Sequence, residues 1–113
     1  METDLFAGIP VNDLAKAQTW YESLFGGPPA FFPNDTEAVW EIGPHQYAYV
    51  VLDPEHAGHA LVTIITSDIA TVLDRISGHG IQTSLDETYE NGMRKVTFTD
   101  TDGNQVAFGG ATS

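Results

Sequence analysis

The feature that most constrains this chain is that one unit is written twice. Ile9-Pro10-Val11-Asn12-Asp13-Leu14 opens a segment with apolar residues at helical spacing, which stops at Gly26-Gly27. Fifty-five positions after Asp13, Asp68 stands in Ile64-Ile65-Thr66-Ser67-Asp68-Ile69, which opens a second such segment ending at Gly78-His79-Gly80. One strand-like run precedes each helix and three short ones follow it. This predicts an α+β fold of two βαβββ modules, forming a half-barrel sheet around a cavity. A cavity built this way is a natural small-molecule site.

The length, 113 residues with 42% apolar content, allows one core. We expect a single domain over 1–113, with module one at about 4–53 and module two at about 60–111. No cysteine is present, so disulfide and thiolate chemistry are excluded. The longest apolar run, Tyr47 to Leu52, is too short to span a bilayer. Met1-Glu2-Thr3-Asp4 does not resemble a signal peptide, so a cytoplasmic location is expected. Sixteen acidic residues face only Lys16, Arg75, Arg94 and Lys95, a net charge of −12. Such a surface repels nucleic acid and anionic membranes and concentrates cations; it also serves solubility or salt tolerance.

Along the chain, Leu5 to Val11 alternates as a strand, with Leu5, Ala7, Ile9 and Val11 on one face and Phe6, Gly8 and Pro10 on the other. Asn12 or Asp13 can cap the first helix, whose stripe is Leu14, Ala17, Tyr21 and Leu24. Phe31-Phe32, Ala38 to Ile42 and Tyr47 to Leu52 read as strands, with turns at Pro33-Asn34-Asp35 and Gly43-Pro44-His45. Asp53 to His59 is the linker. Leu61 to Thr66 opens the second unit, followed by a helix capped by Ser67 with stripe Ile69, Val72, Leu73 and Ile76. Strands are expected near Gln82 to Asp86, Arg94 to Thr99 and Gln105 to Phe108.

With these elements placed, the chain resembles the vicinal oxygen chelate superfamily, which includes glyoxalase I, extradiol dioxygenases and bleomycin-resistance proteins. The resemblance rests on Pro10-Val11-Asn12-Asp13-Leu14, Trp20-Tyr21, Phe25-Gly26, Ser67-Asp68-Ile69, Gly78-His79-Gly80-Ile81 and Asp100-Thr101-Asp102-Gly103-Asn104. It implies a fold that hosts both enzymes and binding proteins. Enzymes of the family hold a divalent metal with His, Gln or Glu on the first and last strands of each unit. Carried over, those positions are Phe6, Leu61, Tyr49 (or Tyr47 in a slipped register) and Ala107. Phe, Leu and Ala cannot coordinate, and a Tyr would first have to lose its proton. No metal and no cofactor are therefore expected.

Two further motifs invite a metal reading. His56 and His59 form either a two-histidine site or part of a polar linker; the linker is preferred because catalytic sites usually take three protein ligands. Asp100-Thr101-Asp102-Gly103-Asn104 opens like a calcium loop but has Ala111 where the twelfth-position Glu would stand, so it reads as a turn.

The remaining inward positions are aromatic and polar. The expected ligand-binding residues are Phe6, Trp40, Tyr47, Tyr49, Leu61, Thr63, Thr97 and Gln105, with Thr99 on the same face as Thr97. Core packing is the alternative reading of each aromatic, and Trp40 in particular can point at the helix. Arg94 and Lys95 lie on opposite faces of their strand, so only one can face the cavity; a surface ion pair is the alternative for either. No nucleophile–base pair stands out and no catalytic residue is assigned.

The resulting expectation is a metal-free binding protein similar to bleomycin-resistance proteins. It would take a small aromatic or cationic molecule without turnover, as a homodimer. Three alternatives stand beside it. One is a metal-dependent glyoxalase-type lyase or dioxygenase. Another is a metal-independent isomerase or lyase using Glu37, Glu41 or a tyrosine as base. The last is a structural or regulatory module without a ligand.

Overall fold

Asp13 fixes where the first helix begins. In the computed structural model, which describes residues 1–112, its extended backbone and a carboxylate accepting from the Lys16 amide cap helix α1, Leu14–Phe25. Gly26, in the left-handed conformation at φ +92°, ends it. The chain order is β1 (Leu5–Val11), α1, β2 (Phe31–Asn34), β3 (Glu37–Gly43), β4 (Gln46–Leu52), β5 (Leu61–Ile65), α2 (Ile69–Gly78), β6 (Leu85–Thr88), β7 (Met93–Thr99) and β8 (Gln105–Ala111).

The strands form two four-stranded sheets, ordered β1-β4-β3-β2 and β5-β8-β7-β6. In each, the first strand runs parallel to the last and the others pair antiparallel. The duplication read from the sequence is thus a duplication of topology. β1 pairs in parallel with β4, as β5 does with β8. The reason is that the helix returns the chain to the start of the sheet, and the two antiparallel turns that follow bring the last strand back to the direction of the first.

Both sheets turn their helix-facing sides to one shared core. Ile9, Val11, Ala38, Trp40, Ala48 and Val50 come from the first, Val96, Phe98, Val106 and Phe108 from the second, with Tyr21, Leu24 and Ile76 from the helices. A buried polar latch aligns the modules. The Asp100 carboxylate accepts from the amides of Asp102, Gly103 and Asn104, each at 2.9 Å, and from the Tyr21 hydroxyl at 2.7 Å. Asn104, fully buried, donates through Nδ2 to the Pro10 carbonyl (2.7 Å) and to Asp100 (2.9 Å), and accepts from the Ala60 amide. Burial, then the negative charge of Asp100, holds the Tyr21 phenol far above its ordinary pKa, so it stays a donor. Gly58, at φ +90°, lets the linker run against this turn; a Cβ there would lie 2.4 Å from the Asp102 carbonyl. Arg75 of α2 closes the other end by donating to the Ser23 and Leu24 carbonyls at the C-terminus of α1.

Several local expectations shift. Asp68, not Ser67, caps α2, because its carboxylate reaches both the amide and the hydroxyl of Thr71. β2 runs through Pro33 to Asn34, an edge position where a missing amide costs nothing. β6 lies at Leu85–Thr88 rather than at Gln82 to Asp86, set by its pairing with Arg94–Thr97. β8 extends three residues past Phe108.

Candidate functional site

The faces of the two sheets turned away from the helices, the open faces, carry Phe6, Phe31, Leu61, Ile65 and Leu85 as exposed apolar residues. On the first sheet, Phe6 pairs in register with Tyr47, and Gly8 with Tyr49. The rings of Phe6 and Tyr47 stack with centroids 4.6 Å apart and planes 15° from parallel, and Tyr49 meets Phe6 edge-on at 6.2 Å. Gly8 makes room for this cluster: a Cβ on it would lie 2.8 Å from the Tyr49 hydroxyl oxygen, so the phenol lies across the bare backbone of β1. Val39 sits beneath, buried, with Phe31 beside it across the β2–β3 pair.

The second open face is of different chemistry. Leu61 pairs with Gln105, Thr63 with Ala107, and Thr97 with Ala107 from the other side. These residues, with Lys95 and Val62, line a concavity of about 200 Å³. Strand parity settles the Arg94–Lys95 question. Arg94 shares the helix side with Val96 and Phe98, where it binds Asp86 through two contacts of 3.0 and 2.6 Å. That pairing holds the Asp86 carboxyl below its usual range and pushes the Arg94 guanidinium up. Lys95 shares the open face with Thr97.

Of the eight expected ligand-binding residues, the structure brings Phe6, Tyr47 and Tyr49 together on one sheet and Leu61, Thr63, Thr97 and Gln105 on the other. Trp40 belongs with neither group. It is 4% exposed, packs against Tyr21 and Phe25, and donates from Nε1 to the Gly27 carbonyl at 2.9 Å. It is a core residue on the helix side. Gly8 as the seat of Tyr49 was not expected, and the choice between Arg94 and Lys95, left open by the sequence, falls on Lys95.

One chain does not close these faces over each other. Because both sheets give their helix sides to a common core, their open faces look outward. Leu61 remains 79% exposed, Ile65 66% and Phe6 44%. Neighbouring exposed apolar residues of this size are characteristic of a contact surface.

The chemistry of the donor set does not fit a divalent metal. The residues at the positions where the family's metal enzymes carry ligands, Phe6, Tyr49, Leu61 and Ala107, lie on the open faces, and three of the four have no donor atom. Among the described residues no three or more of His, Cys, Asp and Glu gather in a metal-holding group. His56 is exposed and bound to Asp53 at 2.9 Å, which raises its pKa, and His59 is exposed as well. The 100–104 segment is the inter-module latch, its carboxylate turned to backbone amides. No helix of the described residues is long and apolar enough to cross a membrane.

Two duplicated modules with this topology define a class: small α+β proteins whose paired sheets build ligand sites. Residues 5–108 match the family described as the glyoxalase/bleomycin resistance protein/dioxygenase superfamily, and the chain belongs to it. A glyoxalase/bleomycin resistance protein from Catenulispora acidiphila is similar over 97% of this chain and 99% of its own, at 46% identity and a TM-score of 0.94. An antibiotic binding protein from Streptomyces shares the fold at 19% identity and a TM-score of 0.76, covering 99% of this chain and 98% of its own. A lactoylglutathione lyase from Agrobacterium tumefaciens does so at 17% identity and a TM-score of 0.73, over 97% of this chain and 94% of its own. Comparison with curated proteins gives no match.

Proposed function

We propose that this chain binds a flat aromatic molecule without turning it over, in a site that two copies complete. The aromatic face of module one in one copy would close over the polar face of module two in the other, making two equivalent sites per homodimer. The observation that carries this reading is the Phe6–Tyr47–Tyr49 cluster, an exposed platform of rings standing where metal-dependent relatives would need ligands. Offset rings of this kind favour a planar guest through stacking and apolar burial.

Three things support it. The exposed Leu61 and Ile65 would be covered by the same contact. Family membership places the chain among proteins that include resistance proteins, and the antibiotic binding protein from Streptomyces uses the same fold. Thr63, Thr97 and Gln105 on the second open face would supply the few polar groups that orient such a guest. A drug-sized planar antibiotic is the natural ligand class on this reading.

The experiment is native mass spectrometry after incubation with nickel, zinc or ferrous iron and desalting. A dimer without retained metal is the expected result. A stable monomer would remove the shared site, and one tightly held metal per chain would move the protein to the metal-dependent lyases or dioxygenases.

A further inference from the structure

Building on that reading, we infer that the ligand carries an anionic or strongly accepting oxygen group, held by Lys95 together with Thr63, Thr97 and Gln105. The chain has four Lys and Arg against sixteen Asp and Glu, so a basic side chain here has every opportunity to pair. Arg94 does so with Asp86 on the helix side, and Arg75 is committed to the carbonyls ending α1. Lys16 and Lys95 make no ion pair among the described residues. Lys16 lies on α1, so only Lys95 stands on an open face, and it does so with Glu87 as its register partner on β6.

Its surroundings complete a donor set. Thr63, Thr97 and Gln105 line the same concavity, and none of their side chains hydrogen-bonds within the described chain. Thr97 is the telling member: the residue is only 6% exposed, yet it lines the concavity and its hydroxyl has no hydrogen-bond partner among the described residues. A hydroxyl free of protein partners in a concavity shared with an unpaired ammonium is open to a guest atom or to water. A lysine ammonium offers three donors and no acceptor, and the two threonines and the glutamine amide can each add one donor. Four donor side chains lining one concavity suit a carboxylate, phosphonate, phenolate or quinone oxygen. Charge-assisted contacts of this kind are about twice as strong as neutral ones. The bulk field of the protein repels an anion at long range, so its capture must come from these short contacts. The ligand is then an aromatic acid or oxygen-rich polycycle, its ring on Phe6 and Tyr47 and its oxygen at Lys95.

Calorimetric titration of the native protein with naphthalene-2-carboxylate, naphthalene-2-carboxamide and 2-naphthylmethylamine tests this. The carboxylate should bind about tenfold more tightly than the amide and more tightly than the amine. Lys95→Met should erase that preference while leaving the dimer intact, and Lys95→Arg should keep most of it. Amide or amine binding at least as tightly as the carboxylate would overturn the oxygen-group assignment and leave the aromatic site standing. A Lys95→Met protein that falls to monomers would also overturn it, because Lys95 would then be an ion-pair partner of the second copy. Failure of all three probes to bind would overturn the aromatic site and this inference together.

Discussion

Laying module two on module one by strand register pairs Phe6 with Leu61, Gly8 with Thr63, Tyr47 with Gln105 and Tyr49 with Ala107. The same operation pairs Glu37 with Lys95. On the helix side it pairs Trp40 with Phe98, and Ile9 with Ile64. The helix sides therefore keep one chemistry in both modules, while the open faces have parted: rings on one, hydroxyls, an amide and a cation on the other. A core tolerates little change of volume or polarity, since each buried group answers to several neighbours. An open face answers only to what lies across from it. Divergence confined to open faces is what a duplicated fold shows when its two halves take different parts in holding one guest.

The conserved side of the comparison should give the largest effects. Trp40→Ala and Phe98→Ala are each expected to cost about 3–5 kcal/mol in urea unfolding, as large buried aromatics removed from equivalent positions. A difference between them of more than about 2 kcal/mol would show that the two helix sides are not equivalent. Next comes the latch. Tyr21→Phe removes a hydroxyl bonded to a buried carboxylate and should cost about 2 kcal/mol, with the dimer state unchanged.

The divergent side should show smaller effects on stability than on binding. Gly8→Ala would push the Tyr49 ring off β1. It should lower affinity for naphthalene-2-carboxylate severalfold while shifting unfolding by less than about 1 kcal/mol. Its counterpart, Thr63→Ala, displaces no ring and should lower affinity less. The smallest effect lies in the linker. The side-chain contact with Asp53 raises the His56 pKa, so whatever stabilisation the pair gives is complete below the unfolded pKa of about 6.5 and lost as pH rises through the folded one. NMR titration should find the imidazole midpoint above 6.5 in the native chain and back near it in Asp53→Asn.

Much of this was legible in the sequence, for reasons that can be named. Phe6, Tyr47 and Tyr49 alternate with small or branched core residues, so parity alone put them on one face. Trp40 resisted because Ala38, Val39 and Trp40 are apolar in succession, and a strand with two apolar faces gives no parity signal. β6 slipped because its residues lack alternation and take their register from β7. Ser67 and Asp68 are both competent caps, and only the reach to Thr71 decides between them. Lys95 could have been placed from sequence, since it shares parity with Thr97 and Thr99 and not with Val96 and Phe98. The latch could not: Asp100 and Asn104 read as an ordinary turn, and their partners Tyr21 and Pro10 lie 79 and 94 residues away.

The claim that one module's rings and the other module's donors serve a single guest across two copies can be tested by mixing. A Phe6→Ala/Tyr47→Ala chain keeps the donor face, and a Lys95→Met chain keeps the rings; each alone should bind naphthalene-2-carboxylate weakly. After unfolding and refolding together, mixed dimers hold one site with both intact faces, and titration of the mixture should recover binding of native affinity. A mixture that binds no better than the separate variants would contradict the shared site.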